Sequence, residues 1–358
     1  MHSVIRASDP VVWEKALVHG KPGISGFQLI RRFVLEYFDK RSFDRSKPSQ
    51  LALKALGILA NLPNPEKSRL RFILTRLLPF SPLRENPCTI EVFIFTSAKD
   101  LAILPLSIVG ASQCHEGFIS KITVVAPNSE RTEVESVIAG LKIHDTEIIY
   151  LSDELLLNDF GISPAGFIRG NIRMEIVKVL AGLVAQESHA LLIDGDTVLL
   201  RKRNWATKNR YLLMVAQEFS TTHINYDKKV LCNYEPQGLG FVTHHQLIRM
   251  EALRGLVKSF GGVKELADSF NTAASKYYLQ GDQIFPSEWQ LIGDYQFSLK
   301  PRHAVLANFS NLGISRNKLG WLFDGVMDLG NMESRIDWLR AKAPGLGSLS
   351  FHGYKTGT

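Results

Sequence analysis

From residue 89 onward the chain alternates short apolar runs with longer stretches whose apolar positions recur every three or four residues. The runs TIEVFIFT, ISKITVVAP, TEIIYL and HALLID read as strands, and LAILPLSIVGAS, ERTEVESVIAGL and FIRGNIRMEIVKVLAGLVA as the helices between them. Strands and helices in strict alternation predict an α/β domain with a mostly parallel sheet and crossover helices on its faces. Ligands of such sheets bind beyond the carboxyl ends of the strands, which points to the residues just after Thr96, after Ala126 and at Asp194. Past residue 200 the pattern loosens. Strands are expected in YLLMVAQEF and GLGFVT, helices over QLIRMEALRGLVKSF and VKELADSFNTAASKYY, and a last helical region near 317–342. The chain shows no internal repeat and no low-complexity tract.

The stretch ahead of residue 87 has a different pattern. FQLIRRFVLEYFDKR places Phe27, Ile30, Val34 and Phe38 at helical spacing, SQLALKALGILANL and EKSRLRFILTRLLPF read as two more short helices, and the proline-marked PFSPLRENP closes the segment. The expected organisation is therefore a helical segment over 1–87, one α/β domain over 88–345 and a tail over 346–358. Charge separates the same parts: residues 1–86 hold 15 Lys and Arg against 7 Asp and Glu, and the rest 27 against 28. The net charge of +7 thus belongs to the first segment. Two readings follow: its helices pack on the neighbouring domain with their cations in water, or they form a basic amphipathic surface held at an anionic membrane. No nucleic-acid motif accompanies the basic residues, so no nucleic-acid partner is expected.

Composition narrows the class further. With 45% apolar and 22% charged residues the chain is neither disordered nor fibrous. Cys88, Cys114 and Cys232 form no spaced ligand cluster and no paired framework, which fits a reducing, cytoplasmic setting, peripheral to the membrane's inner face under the second reading above. The opening residues carry Asp9 and Glu14 and lack an apolar core, so a secretory signal is not expected. The longest apolar stretch, LALKALGILANL, is cut by Lys54 and falls short of a membrane span.

Chemistry concentrates in HALLIDGDTVLL, where an apolar strand delivers Asp194 and Asp196 with Gly195 between them. Two carboxylates so spaced at a strand end can share one hard divalent cation, Mn2+ or Mg2+, which would offset the charge of a diphosphate. The plain alternative is an acidic turn between two strands, since Asp-Gly also marks hairpins.

With a run of βα units ahead of it, this Asp-x-Asp resembles the metal-holding motif of GT-A glycosyltransferases, in which a nucleotide-binding half ends in such a pair. GFVTHHQLIRMEAL and FPSEWQLIGDYQ look like the Thr-His-His and Ser-Glu-x-x-x-x-Gly-x-Tyr stretches of a bacterial group within that class. The matching positions are Thr243, His244 and His245, then Ser287, Glu288, Gly293 and Tyr295. The resemblance covers about residues 88–310. It departs at Gly166-Phe167-Ile168-Arg169-Gly170-Asn171, where the group tends to carry Gly-Trp-x-x-Gln-Gln. It implies a GT-A-like fold and a metal-dependent enzyme that moves a sugar from a nucleotide-sugar donor to a glycan or lipid-linked acceptor, in cell-surface polysaccharide synthesis.

The residues also suggest roles by their own chemistry. Glu288 opens a helix after Pro286, with Ser287 as a cap, and is the first choice of base for an acceptor hydroxyl. His244 and His245 follow the expected strand GLGFVT, so one points to the pocket and the other away; His245 is assigned to catalysis and His244 to the donor. Thr96, Lys99 and Asp100 fall where the first loop would meet a base or ribose, unless Ser97 and Asp100 only cap a helix. Arg169 and Arg173, four apart on one helix, could meet the diphosphate. LLIDGDTVLL also satisfies the haloacid-dehalogenase pattern, with Asp194 as nucleophile and Asp196 as acid/base of a phosphatase. A catalytically degenerate nucleotide-sugar binder is the third reading.

Overall fold

The structure is a computed structural model that describes Leu83 and residues 85–352, apart from 144–145, 217–219, 232–238, 300–302, 316–319 and 344. The basic helices expected ahead of residue 83, the membrane surface read from them, Cys232 and residues 353–358 lie outside these residues.

The first half follows the expected alternation. It runs β1 (Ile90–Phe95), α1 (Leu104–Ser112), β2 (Ile119–Ala126), α2 (Arg131–Ala139), β3 (Glu147–Ser152), α3 (Asp153–Asp159), α4 (Gly170–Leu183) and β4 (His189–Asp194). The second half adds β5 (Thr197–Leu199), β6 (Tyr211–Val215), α5 (Thr221–Val230), β7 (His245–Arg249), α6 (Met250–Phe260), α7 (Val263–Gln280) and α8 (Glu288–Leu299). It closes with β8 (Ala304–Asn308), β9 (Asn311–Ser315), α9 (Gly320–Met327), α10 (Met332–Lys342) and β10 (Ser348–His352). No helix of the described residues is long and apolar enough to cross a membrane.

The main sheet has the order β3-β2-β1-β4-β7, parallel except for β7, which pairs antiparallel with β4. A sheet buried on both faces needs strands that are apolar at odd and even positions alike. In β1, Val92 and Ile94 join one core with Leu104, Ile108 and Val134, while Phe93 and Phe95 join another with Ile176, Leu180, Leu253 and Phe270. Each such side chain contributes about 1.5–3 kcal/mol relative to exposure. Because β2 and β3 lie on one side of β1 and β4 on the other, the strand order reverses between β1 and β4. A crevice opens at such a reversal, outside the carboxyl ends of the strands.

Two expectations are corrected and one is refined. GLGFVT is not a strand: Gly240 makes one bridge to Ala216, and the next strand is β7, within the stretch expected to start a helix. Pairing with β4 decides this, since it buries Leu247 in one core and Ile248 in the other, which tertiary packing rewards over helix propensity. The last helical region is two helices, the second opened by Asn331, whose side chain accepts from Ser334 N–H. Residues 348–352, expected in a tail, form the buried strand β10 of a three-stranded sheet β5-β10-β9.

Candidate active site

The crevice between β1 and β4 is a cavity of about 630 Å³. The ends of the parallel strands supply one wall: Thr96 and Asp100 after β1, Pro127 after β2, Asp153 after β3, and Asp194 to Asp196 after β4. Residues of α4 from Gly170 to Lys178, the first turn of α8 and the side chains of His223, His244 and His352 supply the other.

The tripeptide Asp194-Gly195-Asp196 is fastened through its backbone. Asp194 N–H donates to His244 O at 2.8 Å, Gly195 N–H to Phe95 O at 2.6 Å, and Phe351 N–H to Asp196 O at 2.8 Å. Ser107 Oγ donates to Gly195 O at 2.8 Å. Glycine is required at 195 because its backbone abuts the end of β1. A Cβ there would lie 2.6 Å from Phe95 O and 2.9 Å from Thr96 Cα.

The two carboxylates have unequal partners. Asp194 Oδ1 lies 2.6 Å from Lys178 Nζ, and Asp194 Oδ2 is 3.0 Å from His244 Nδ1. Lys178 Nζ is also 2.6 Å from Glu288 Oε1 and sits over the Trp289 ring at 4.4 Å. Asp196 is more loosely held: Thr197 Oγ1 donates to its Oδ1 at 3.3 Å, and His352 Nδ1 stands 3.4 Å from its Oδ2.

Electrostatics follow from these contacts. Burial alone would raise the Asp194 carboxyl, but Lys178 and His244 more than offset it and hold it below the usual carboxylate range. Burial would likewise lower Lys178, and the two carboxylates beside it hold its ammonium above the usual value instead. His244 is shifted down by burial and further up by Asp194, with a net rise. Glu175, one turn before Lys178, is pushed well above its ordinary value by burial and then by the charge of Glu288. Its Oε2 is covered and has no hydrogen-bond partner.

The sequence-expected residues divide. Thr96, Lys99, Asp100, Arg173, Asp194, Asp196, His244, Ser287 and Glu288 all line the cavity. The Thr96 hydroxyl is buried there without a hydrogen-bond partner. The Ser97 side chain does not cap the turn that follows; its Oγ donates to Asp100 Oδ2 at 3.4 Å. Asp153 and Glu154 hold Arg173 at 2.7 and 3.1 Å. Arg169 is not in the lining, because its guanidinium stacks on Tyr278 at 3.8 Å.

His245 is turned away as well. His245 N–H donates to Thr243 O at 2.6 Å across His244, whose φ is +53°, a positive-φ γ-turn that Thr243 Oγ1 braces by donating to His245 O at 2.8 Å. The turn aims His244 at Asp194 and leaves His245 in the core, with its ring centroid 5.7 Å from Trp205 and 5.1 Å from Phe309. Burial, and next Arg203, push it well below its ordinary value, so the expected catalytic His245 is a neutral core group. Gly293 and Tyr295 also serve packing. A Cβ on Gly293 would meet Phe241 Cβ at 2.5 Å, and Tyr295 lies against Gly255 of α6.

Lys178, Glu175 and His352 carry no assigned role in the sequence reading. A lysine inside EIVKVLAGLVA was a usable signal, since lysines are almost never fully buried unless paired. His352 had none, because only the pairing of β10 brings it to Asp196.

Among the described residues no group of three or more His, Cys, Asp and Glu side chains is arranged to hold a metal ion. Both oxygens of Asp194 are engaged, one by an ammonium. As arranged, the residues do not fit the divalent cation expected between Asp194 and Asp196.

The sequence matches no known family profile and no curated protein. Solved structures similar to the chain include mouse xyloside xylosyltransferase 1 in its apo form, at 12% identity and a TM-score of 0.43, covering 75% of this chain and 99% of that one. Galactosyltransferase LgtC in complex with donor and acceptor sugar analogs is 13% identical with a TM-score of 0.38. An active-site variant of LgtC is 14% identical at 0.37. Both LgtC structures cover 74% of this chain and 87% of their own.

Proposed function

We propose that the chain is a GT-A-like glycosyltransferase that binds a nucleotide-sugar in the crevice between β1 and β4 and passes the sugar to an acceptor hydroxyl. The observation that carries this reading is the coincidence of the Asp194-Gly195-Asp196 motif with the reversal of strand order, where an open α/β sheet receives its ligand. The loop from Thr96 to Asp100 is suited to the nucleoside end, since the buried Thr96 hydroxyl lacks a partner that a ribose or base could supply. Arg173 and Lys178 bring positive charge toward a leaving diphosphate. Glu288 lines the same cavity and is the proposed base for the acceptor hydroxyl; Glu288→Gln turning over at the wild-type rate would remove that role.

The phosphatase reading is disfavoured by the contacts of Asp194 with Lys178 and His244, which hold its carboxyl below the usual range and so weaken it as a nucleophile. Within the transferase reading the acceptor is proposed to be a glycan or its lipid-linked precursor, with the protein working in the cytoplasm and the basic segment 1–86 facing an anionic membrane. Flotation of the full chain with anionic but not neutral liposomes tests the last point. The donor reading is tested by calorimetric titration with UDP-, GDP-, dTDP- and CMP-sugars. One nucleotide class should bind, and Arg173→Met, which removes positive charge proposed to face the diphosphate, should weaken that binding. No binding by any class would refute the reading.

A further inference from the structure

The disagreement between the motif and its surroundings has a specific cause. Two aspartates one residue apart would normally share a cation from outside the chain. Here a cation of the chain is already present, with its Nζ 2.6 Å from Asp194 Oδ1 and 2.6 Å from Glu288 Oε1. Those distances mark direct charge-assisted hydrogen bonds with no water between. The ammonium is also covered, at 8% side-chain exposure, and seated on the Trp289 face, so it is held by the fold and is no surface lysine in passing. His244 takes the remaining Asp194 oxygen.

We propose that Lys178 is the resident cation of this centre, standing where a divalent metal would stand, so that the protein handles its ligand's phosphates without Mn2+ or Mg2+. The charge balance of the cavity supports this. Lys178 and His244 face Asp194 and Glu288, and Arg173 faces Asp153, while Asp196 is met by the longer contacts to Thr197 and His352 and Glu175, beside Lys178, is pushed toward its neutral form by burial. A divalent ion bridging both aspartates would have to take Asp194 from Lys178, leaving the covered ammonium over Trp289 with Glu288 alone, at a cost in its pairing. The part of the proposal that concerns phosphates rests on the transferase reading; the part that concerns the metal does not.

The experiment has two arms on the full chain. In the first, Mn2+ uptake by nucleotide-free protein is followed by the loss of its free-ion electron paramagnetic resonance signal. Wild type and Lys178→Arg should take up no Mn2+ below about 1 mM, while Lys178→Met should bind it at least about tenfold more tightly, because the carboxylates have lost their cation. Wild type binding Mn2+ as tightly as Lys178→Met would overturn the proposal. If circular dichroism shows that Lys178→Met does not fold, Asp194→Asn decides: the proposal expects it to change nothing in Mn2+ uptake, and uptake by wild type that disappears in this variant contradicts it. In the second arm, the nucleotide-sugars are titrated in EDTA and in Mn2+. Equal binding in both supports the proposal, and binding only with Mn2+ overturns it while leaving the transferase reading intact. Failure of every nucleotide in both buffers refutes the transferase reading instead, and the first arm still decides the place of Lys178.

Discussion

The same cavity holds its charges in two ways. At its buried centre Lys178, Asp194 and Glu288 meet at 2.6 Å with side-chain exposures of 8%, 22% and 3%. At its rim Lys99 stands 3.9 Å from Asp100 with 64% of its side chain in water. The chemistry of the pairs is alike and their energetic meaning is not. A covered pair becomes costly when one partner is removed, because the other is left as an uncompensated charge. An exposed pair is screened and contributes little. Covered charges therefore fix geometry, whereas the Lys99 ammonium is screened by water although its partner Asp100 is covered.

The largest effect expected from this contrast is on stability at the centre. Lys178→Met should destabilise the protein by about 3–5 kcal/mol in urea unfolding; a change below about 1 kcal/mol would place the ammonium in a solvated site. Next comes the backbone that carries the motif. Gly195→Ala forces a Cβ against Phe95 O and should cost about 1–3 kcal/mol, with nucleotide binding reduced in parallel. Retained stability and binding would mean that the loop after β1 gives way.

A smaller effect should appear in pH. The His244 value is raised in the fold above 6.5 by Asp194, against the effect of burial. Its contribution to stability is thus fully present below that pH and is lost as pH rises through the raised value. Melting temperatures between pH 6 and 9 should fall more in wild type than in His244→Asn, a substitution chosen because asparagine tolerates the positive φ. Parallel curves would show that His244 holds no extra proton. The smallest effect belongs to the rim: after allowance for screening, Lys99→Ala should stay within about 0.5 kcal/mol of wild type. If it nevertheless weakens nucleotide binding, as the ligand-facing role of the rim requires, the contrast between centre and rim is sharpened.

The sequence made the sheet readable up to β4 because β1, β4 and most of β2 are buried on both faces and read as continuous apolar runs, and the half-buried edge strand β3 keeps the apolar run IIYL. Asp194, Asp196 and Glu288 were readable for a different reason: each sits where one element ends or begins, and the ends of elements show in local pattern. What stayed hidden depends on distant pairing. Lys178 meets Glu288 across 110 residues of chain, so the centre's cation could not be told from a solvated helix face. His245 and His352 were hidden likewise. A γ-turn at His244 decides which histidine faces the crevice, and β10 joins the fold by pairing with β5 and β9.

The most direct measurement is a crystal structure with the nucleoside diphosphate selected by titration, grown in EDTA. The account predicts the base and ribose against Thr96 to Asp100 and the phosphates between Arg173 and Lys178, with the Lys178–Asp194 contact intact. A nucleotide found outside the crevice of β1 and β4, for example in the second cavity between α5 and α7 beside Lys229 and Lys276, would contradict it.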